Sequence, residues 1–151
     1  MFRGISSLTV DAKGRIAIPT KHRDEINSDH GGAMILTVDH GERCLVLYPM
    51  TKWVDTEHKL MSLPNLSSAV RGMRRLILGH ASDVEMDGQG RLMLAGPLRE
   101  YAQMGKKIAL VGQGDKFELW DEESWNAGLE KMREAAPIDI QNDESLKGLS
   151  I

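Results

Sequence analysis

Two five-residue elements carry the most pointed chemistry in this chain: Asp11-Ala12-Lys13-Gly14-Arg15 and Asp87-Gly88-Gln89-Gly90-Arg91. An arginine presents a planar fork of donors that suits phosphate oxygens and the O6 and N7 atoms of guanine. Each of these arginines follows a glycine that can take positive φ. Each also stands four residues after an aspartate whose oxygens can accept backbone N–H groups. Such a turn can hold an arginine out from a rigid β-scaffold toward nucleic acid. It can equally close on itself, with the aspartate pairing the arginine and merely fixing the turn. Two observations favour the first use. The element occurs twice, and the first 24 residues gather Arg3, Lys13, Arg15, Lys21 and Arg23 against only Asp11 and Asp24. The net charge of −3 does not argue against it, because residues 115–151 hold ten acids against four bases and the distribution matters more than the total.

Other chemistries find no support in the residues. The five histidines (His22, His30, His40, His58 and His80) show no metal-ligand spacing. There is no phosphate-loop signature, and Gly112-Gln113-Gly114 reads as a hairpin turn rather than part of a dinucleotide fingerprint. No serine has a nucleophile-elbow context, and Glu122-Glu123 sits where a helix start favours acids. The chain is therefore read as a non-enzyme without cofactor or metal. Cys44 lies in the apolar run Cys44-Leu45-Val46-Leu47-Tyr48 and is expected to be a buried, reduced thiol. No apolar stretch approaches the roughly 20 residues of a membrane helix, and Met1-Phe2-Arg3-Gly4 lacks a signal-peptide core. A cytoplasmic protein without membrane contact is expected.

The elements that must position the arginines come in two copies. At an offset of 76, Asp, Gly, Arg, an apolar triplet and a second arginine (Arg23, Arg99) coincide; at 72, Leu45-Val46-Leu47-Tyr48 with Trp53 matches Phe117-Glu118-Leu119-Trp120 with Trp125. The chain reads as a tandem duplication. In each copy a short strand (Leu8 to Val10; Val84 to Met86) enters the glycine turn, and a β-stretch leaves it (Ile16 to Ile18; Leu92 to Leu94), as in a hairpin. Pro19 and Pro97 suit the first turn of a short helix, expected to run to about Ile26 and Gln103. Two more strands follow in each copy, about Met34 to Val38 with Cys44 to Tyr48, and Ile108 to Val111 with Phe117 to Trp120. A closing helix bears Trp53, Val54, Glu57, Leu60 and Met61 on one face in the first copy. In the second, Asp121 is the expected N-cap before Trp125, Leu129 and Met132. A linker helix is predicted from about Ser68 to Leu78, with His80 bonding its last carbonyls. Only 5% of residues are aromatic, so the core must rest on Leu, Ile, Val and Met.

The run DAKGRIAIP followed by Arg23, repeated in altered form, resembles the SpoVT-AbrB family of swapped-hairpin DNA-binding domains. Met1-Phe2-Arg3-Gly4, Leu78-Gly79-His80-Ala81-Ser82 and Phe117-Glu118-Leu119-Trp120 extend the likeness to tandem regulators of that family, over about residues 1–134. The second copy departs from the pattern, with Ala95 where Pro19 stands and its proline displaced to Pro97. The resemblance implies an α+β, β-rich fold: a pseudo-two-fold pair of swapped hairpins forming a β-barrel with flanking helices. Domain boundaries follow at 5–52 (closing helix to about 63), a helical linker at 64–80, and 81–124 (closing helix to about 135). A loosely ordered tail is expected at 136–151. Also implied are ring-shaped homo-oligomers on the nucleoid that bind double-stranded promoter repeats, repressing their own promoter and a division and cell wall gene cluster. Residues 81–100 hold four acids against Arg91 and Arg99, so the first copy is expected to face DNA. Arg15 and Lys13 are the main expected contacts, with Arg3 beside them. Gly14 is expected to let the backbone approach, and Arg23 to be a weaker contact. Asp11, Asp87, Gly90 and Arg91 are expected to structure the turns. An antitoxin-like or scaffolding interaction module is the alternative, because related folds serve that role and fold alone does not fix function.

Overall fold

The runs Met34–Leu36, Leu45–Leu47 and Ile108–Val111 are apolar at successive positions rather than at alternate ones, which suits strands covered on both faces. In the computed structural model, which describes residues 1–150, these runs form the middle of one antiparallel sheet. The first half supplies β1 (Ile5–Thr9), β2 (Arg15–Ala17), α1 (Thr20–His30), β3 (Ala33–Val38), β4 (Leu45–Pro49) and α2 (Met50–Ser62). After the linker helix α3 (Ser68–Ile77) come β5 (Ser82–Glu85), β6 (Arg91–Met93), α4 (Gly96–Tyr101), β7 (Lys107–Gly112), β8 (Phe117–Asp121) and α5 (Glu122–Asn142). The sheet runs β1-β7-β8-β4-β3-β5, while β2 and β6 form a separate two-stranded ribbon.

Almost every join between the halves is a strand exchange. β1 of the first half pairs with β7 of the second, with Ile5 opposite Val111 and Thr9 opposite Lys107. Reciprocally, β5 of the second half pairs with β3 of the first, with Met34 opposite Val84. β4 meets β8 at the centre, Leu45 opposite Leu119, and β2 meets β6, Ile16 opposite Leu92. The strands flanking each glycine turn read locally as the arms of one hairpin, but they exchange between the halves as the swapped-hairpin resemblance implies. They do not pair with each other, because the other half supplies both partners. Exchange also moves the first strand of each copy upstream of its predicted place, to Ile5–Thr9 and Ser82–Glu85. The sheet ends at β1 and β5 and is not closed into a hydrogen-bonded barrel. The ribbon lies against those edges instead, with Ile16, Ile18, Leu92 and Leu94 buried in the main core.

That core also takes Phe2, Ile26, Met34, Leu36, Leu47, Ile108, Leu110 and Phe117. The outer side of the sheet is covered separately in each half: Ile35 by Trp53, Leu60 and Ile77, and Ala109 with Val111 by Trp125. Val54 and Met61, expected on the apolar face of α2, are 40% and 57% exposed, so the buried stripe is the narrower one through Trp53 and Leu60. The linker helix is tied down by its arginines. Arg74 donates to the carbonyls of Leu60, Met61 and Leu63 at 3.1, 3.0 and 2.8 Å, satisfying the carbonyl end of α2. His80 Nδ1 lies 2.7 Å from the Leu76 carbonyl. Thr37, fully buried, donates its hydroxyl to the Ile77 carbonyl at 2.6 Å. α1 extends four residues beyond its expected end, to His30, whose ring lies 5.9 Å from that of Phe2 and whose Nδ1 is 2.8 Å from the Thr51 hydroxyl, before Gly31 caps the helix at φ 69°. His22, in the first turn, packs edge-on against Phe2 and Phe117. Burial lowers the His22 pKa, disfavouring the charged ring. Burial raises the pKa of the Cys44 thiol, with nearby Glu118 adding to the effect.

Asp121 caps α5 by accepting from the Ser124 N–H. The helix then passes through Pro137 to Asn142, and a 3-10 turn follows at Glu144–Leu146, where a loosely ordered tail was expected. Pro137 removes one N–H, but that flank is exposed, so water can satisfy the freed carbonyl.

This exchange makes a direct prediction. A chain of residues 1–78 keeps β3 and β4 but loses every partner of β1 and β2. It should be an unfolded monomer by circular dichroism and light scattering, or a dimer in which a second fragment replaces the missing half. A folded monomer would contradict the exchange.

Candidate nucleic-acid interface

Both aspartate turns close in the same way. Asp11 Oδ1 accepts from the backbone N–H groups of Lys13 and Arg15, each at 2.9 Å, and Oδ2 accepts from Arg15 Nε at 2.9 Å. Asp87 repeats the pattern with Gln89, Arg91 and the Arg91 Nε, all at 2.9 Å. Gly14 and Gly90 take φ of 84° and 74°, and their N–H groups bond the carbonyls of Asp11 and Asp87. Both carboxyls are held below the ordinary aspartate range, chiefly by the backbone N–H of the arginine four residues on. The two uses of such a turn are therefore compatible. Each carboxylate occupies one edge of the guanidinium, and the terminal nitrogens of Arg15 and Arg91 make no hydrogen bond among the described residues.

The ribbon decides where those free nitrogens point. Ile16 and Leu92 face the core, so their neighbours Arg15, Ala17, Arg91 and Met93 face outward. Arg15 stands opposite Met93 and Arg91 opposite Ala17, which places both arginines on one outer surface. Arg15 was expected to contact DNA and Arg91 to structure its turn; their side chains are alike, 23% and 32% exposed, with the same partner geometry. The turns bracket the ribbon. Leu94 donates to the Gly14 carbonyl and Ile18 to the Gly90 carbonyl, so four strand steps, roughly 14 Å, separate them.

The later arginine of each copy crosses to the other copy's turn. Arg23 donates Nε to the Ile18 carbonyl at 2.6 Å and lies flat on Gly90, where any Cβ would overlap its guanidinium. Arg99 donates to the Leu94 carbonyl at 3.1 Å and covers Gly14, with Nη2 3.2 Å from the place a Cβ would occupy. Two expectations are corrected by this crossing. Arg23 belongs to the second turn rather than the first. Gly14 is buried beneath Arg99, so its missing side chain admits an arginine rather than an external ligand. Arg3 is also displaced: it abuts Gly112 at the start of β1, seven strand steps or roughly 23 Å from Val10.

The cations around the first turn are thus Lys13 and Arg15 from the first half with Arg99 and Lys106 from the second. Arg99 and Lys106 share an open cleft with Asp11 and Met104. The second turn has Arg91 and Arg23, with Gln89 in the place of Lys13 and Glu85 on the strand leading into it. Arg99 was visible in the sequence as the repeat partner of Arg23, although its crossing was not. Lys106 gave no signal, since only the Val10 N–H bond to its carbonyl, at 2.8 Å, brings it beside the turn.

The sequence matches the MraZ family model, described as "MraZ protein, putative antitoxin-like", twice, over residues 1–76 and 77–146. It is 43% identical to a protein of Halorhodospira halophila over 152 aligned positions, covering 100% of both chains. It is 47% identical to one of Hydrogenovibrio crunogenus, covering 99% of this chain and 98% of the other. Against one of Nitrosomonas europaea the identity is 45%, with 100% of each covered. All three carry the name transcriptional regulator MraZ.

Two outcomes are expected at the turns. The folded pKa of Asp11 and Asp87 lies below the value near 3.8 of a free aspartate, so their stabilisation is complete above that value and is lost as pH falls through the lower, folded one. In urea melts, Asp11→Asn with Asp87→Asn should be less stable than wild type at pH 7, and the gap should close as pH falls well below the ordinary aspartate range. A gap that persists there would show that the charge is not what holds the turns. Gly90→Ala, at positive φ and against Arg23, should cost at least the roughly 1–2 kcal/mol of a left-handed non-glycine residue, read as a lowered urea midpoint.

Proposed function

The chain belongs to the MraZ family, and we propose that it is a transcriptional regulator binding double-stranded DNA through the outer face of the β2–β6 ribbon. One observation carries this reading: two arginines on one antiparallel ribbon, each braced by a carboxylate at Nε with its terminal nitrogens free. The major groove is about 12 Å wide and admits such a ribbon. Turns roughly 14 Å apart then reach the phosphate walls while Arg15 and Arg91 face base edges. Arg23 and Arg99 act behind them, bracing the turns, and Lys13 adds a phosphate contact at the first. Because Arg91 shares the face and geometry of Arg15, both halves contribute to the interface.

Within this reading the protein represses its own promoter and a division and cell wall gene cluster, acting on the nucleoid as a ring-shaped homo-oligomer. An oligomer would set several ribbons along successive DNA repeats, so that individually weak contacts combine through effective concentration. The family description also contains the words "antitoxin-like". A regulator of that second kind would co-purify with one stoichiometric protein partner and enrich no promoter.

Arg15→Ala and Arg91→Ala should each weaken binding to the DNA upstream of the protein's own gene by about 1–3 kcal/mol per lost base contact, with circular dichroism unchanged. Normal affinity in both variants would sink the ribbon reading; loss from Arg15→Ala alone would confine the interface to the first half. Affinity should also fall steeply when promoter repeats are reduced from several to one. Equal binding to one and to four repeats would remove the oligomeric part of the proposal.

A further inference from the structure

We propose that Lys106 is a second-half phosphate contact beside the first turn, making the DNA grip tighter on that side of the ribbon. The inference rests on the DNA-binding reading above. The Lys106 carbonyl accepts the Val10 N–H at 2.8 Å, one residue before the turn at Asp11 begins. That bond fixes its backbone at the end of the β1–β7 ladder, so the exposed lysine side chain leaves from a rigid point next to Asp11 and Arg99. Its acidic neighbours are Asp11, already bonded to Arg15, and Asp121, Glu122 and Glu123 across a second cleft. Lys106 forms no ion pair with any of them among the described residues. Its ammonium is therefore available to an external anion.

The second turn has no counterpart. Thr9 pairs with Lys107 where Glu85 pairs with Ala33, so the position equivalent to Lys106 is Gly32, and the one equivalent to Lys13 is Gln89. Two lysines thus distinguish otherwise matching turns. When the ribbon lies in the groove, the wall met by the first turn receives both of them. The phosphate backbone is the ligand class, because a lysine is a mobile point charge without the planar fork that reads a base.

The test uses the full-length protein and two duplexes, one from the DNA directly upstream of its gene and one scrambled at equal composition. Releasing one fewer counterion at 0.1 M salt lowers affinity roughly eightfold per contacting subunit and flattens the log–log salt slope by about 0.9. Lys106→Gln should show both effects, equally on the two duplexes. Lys131→Gln, the same charge change on α5, should show neither, while Arg15→Ala should reduce the preference for the promoter duplex. Arg15→Ala acting as expected with no change of slope in Lys106→Gln would overturn this proposal alone. No effect from either variant would remove the ribbon reading with it, and an equal loss in Lys131→Gln would reduce the effect to net charge.

Discussion

The backbone N–H and C=O groups of Arg15–Ala17 and Arg91–Met93 find their sheet partners only in each other. Everything else in the molecule is arranged around that exchange. Buried backbone groups left unpaired would cost as much as lost hydrogen bonds. The strand leaving each turn must therefore reach the other half, and the strand before each turn must reach β7 or β3. Duplication within one chain meets this demand internally. It places a pseudo-two-fold axis through the ribbon, and so puts two equivalent arginines on one surface. A single copy would present one arginine beside an unpaired strand.

The arginines are divided between two tasks by the same symmetry. Arg23 and Arg99 cross to the opposite turn, bond a strand carbonyl through Nε and lie on the glycine. Arg15 and Arg91 stay with their own turn, bonded through Nε to a carboxylate. The crossing pair links the halves where the ribbon strands are only three residues long. Each glycine serves two ends at once, since positive φ closes the turn and the absent side chain leaves room for the crossing arginine. The external face is thereby left to Arg15 and Arg91, whose terminal nitrogens have no partner among the described residues.

Symmetry of backbone does not extend to surface. The first half covers its outer sheet face with α2 and α3, locked together by Arg74, whereas the second half uses α5 alone. The turns differ similarly, with lysines at positions 13 and 106 against Gln89 and Gly32. Most core positions are apolar in both copies, with exceptions at His22 and Thr37, which stand where the second copy has Leu98 and Val111. Exposed positions bear little packing constraint, and it is at those positions that the two turns differ in charge.

The duplication, the order of strands and helices, the Asp121 cap, the His80 bond to the linker helix and the carboxylate-braced turns were all legible in the sequence. Each depends on residues close in the chain or on a period along it. What the sequence could not decide was which residues from far along the chain meet. Arg23 lies eight residues from Arg15 and reads as its neighbour, yet it sits on Gly90. Arg99 and Lys106, more than 80 residues from Gly14, stand beside its turn. Arg3, near in sequence, is a strand's length away. A hairpin pattern also specifies two strands and a turn without specifying whether those strands pair with each other. Local periodicity records which face of a strand is buried, whereas partner choice depends on the total burial and hydrogen bonding of the whole chain, and only the tertiary structure contains that information.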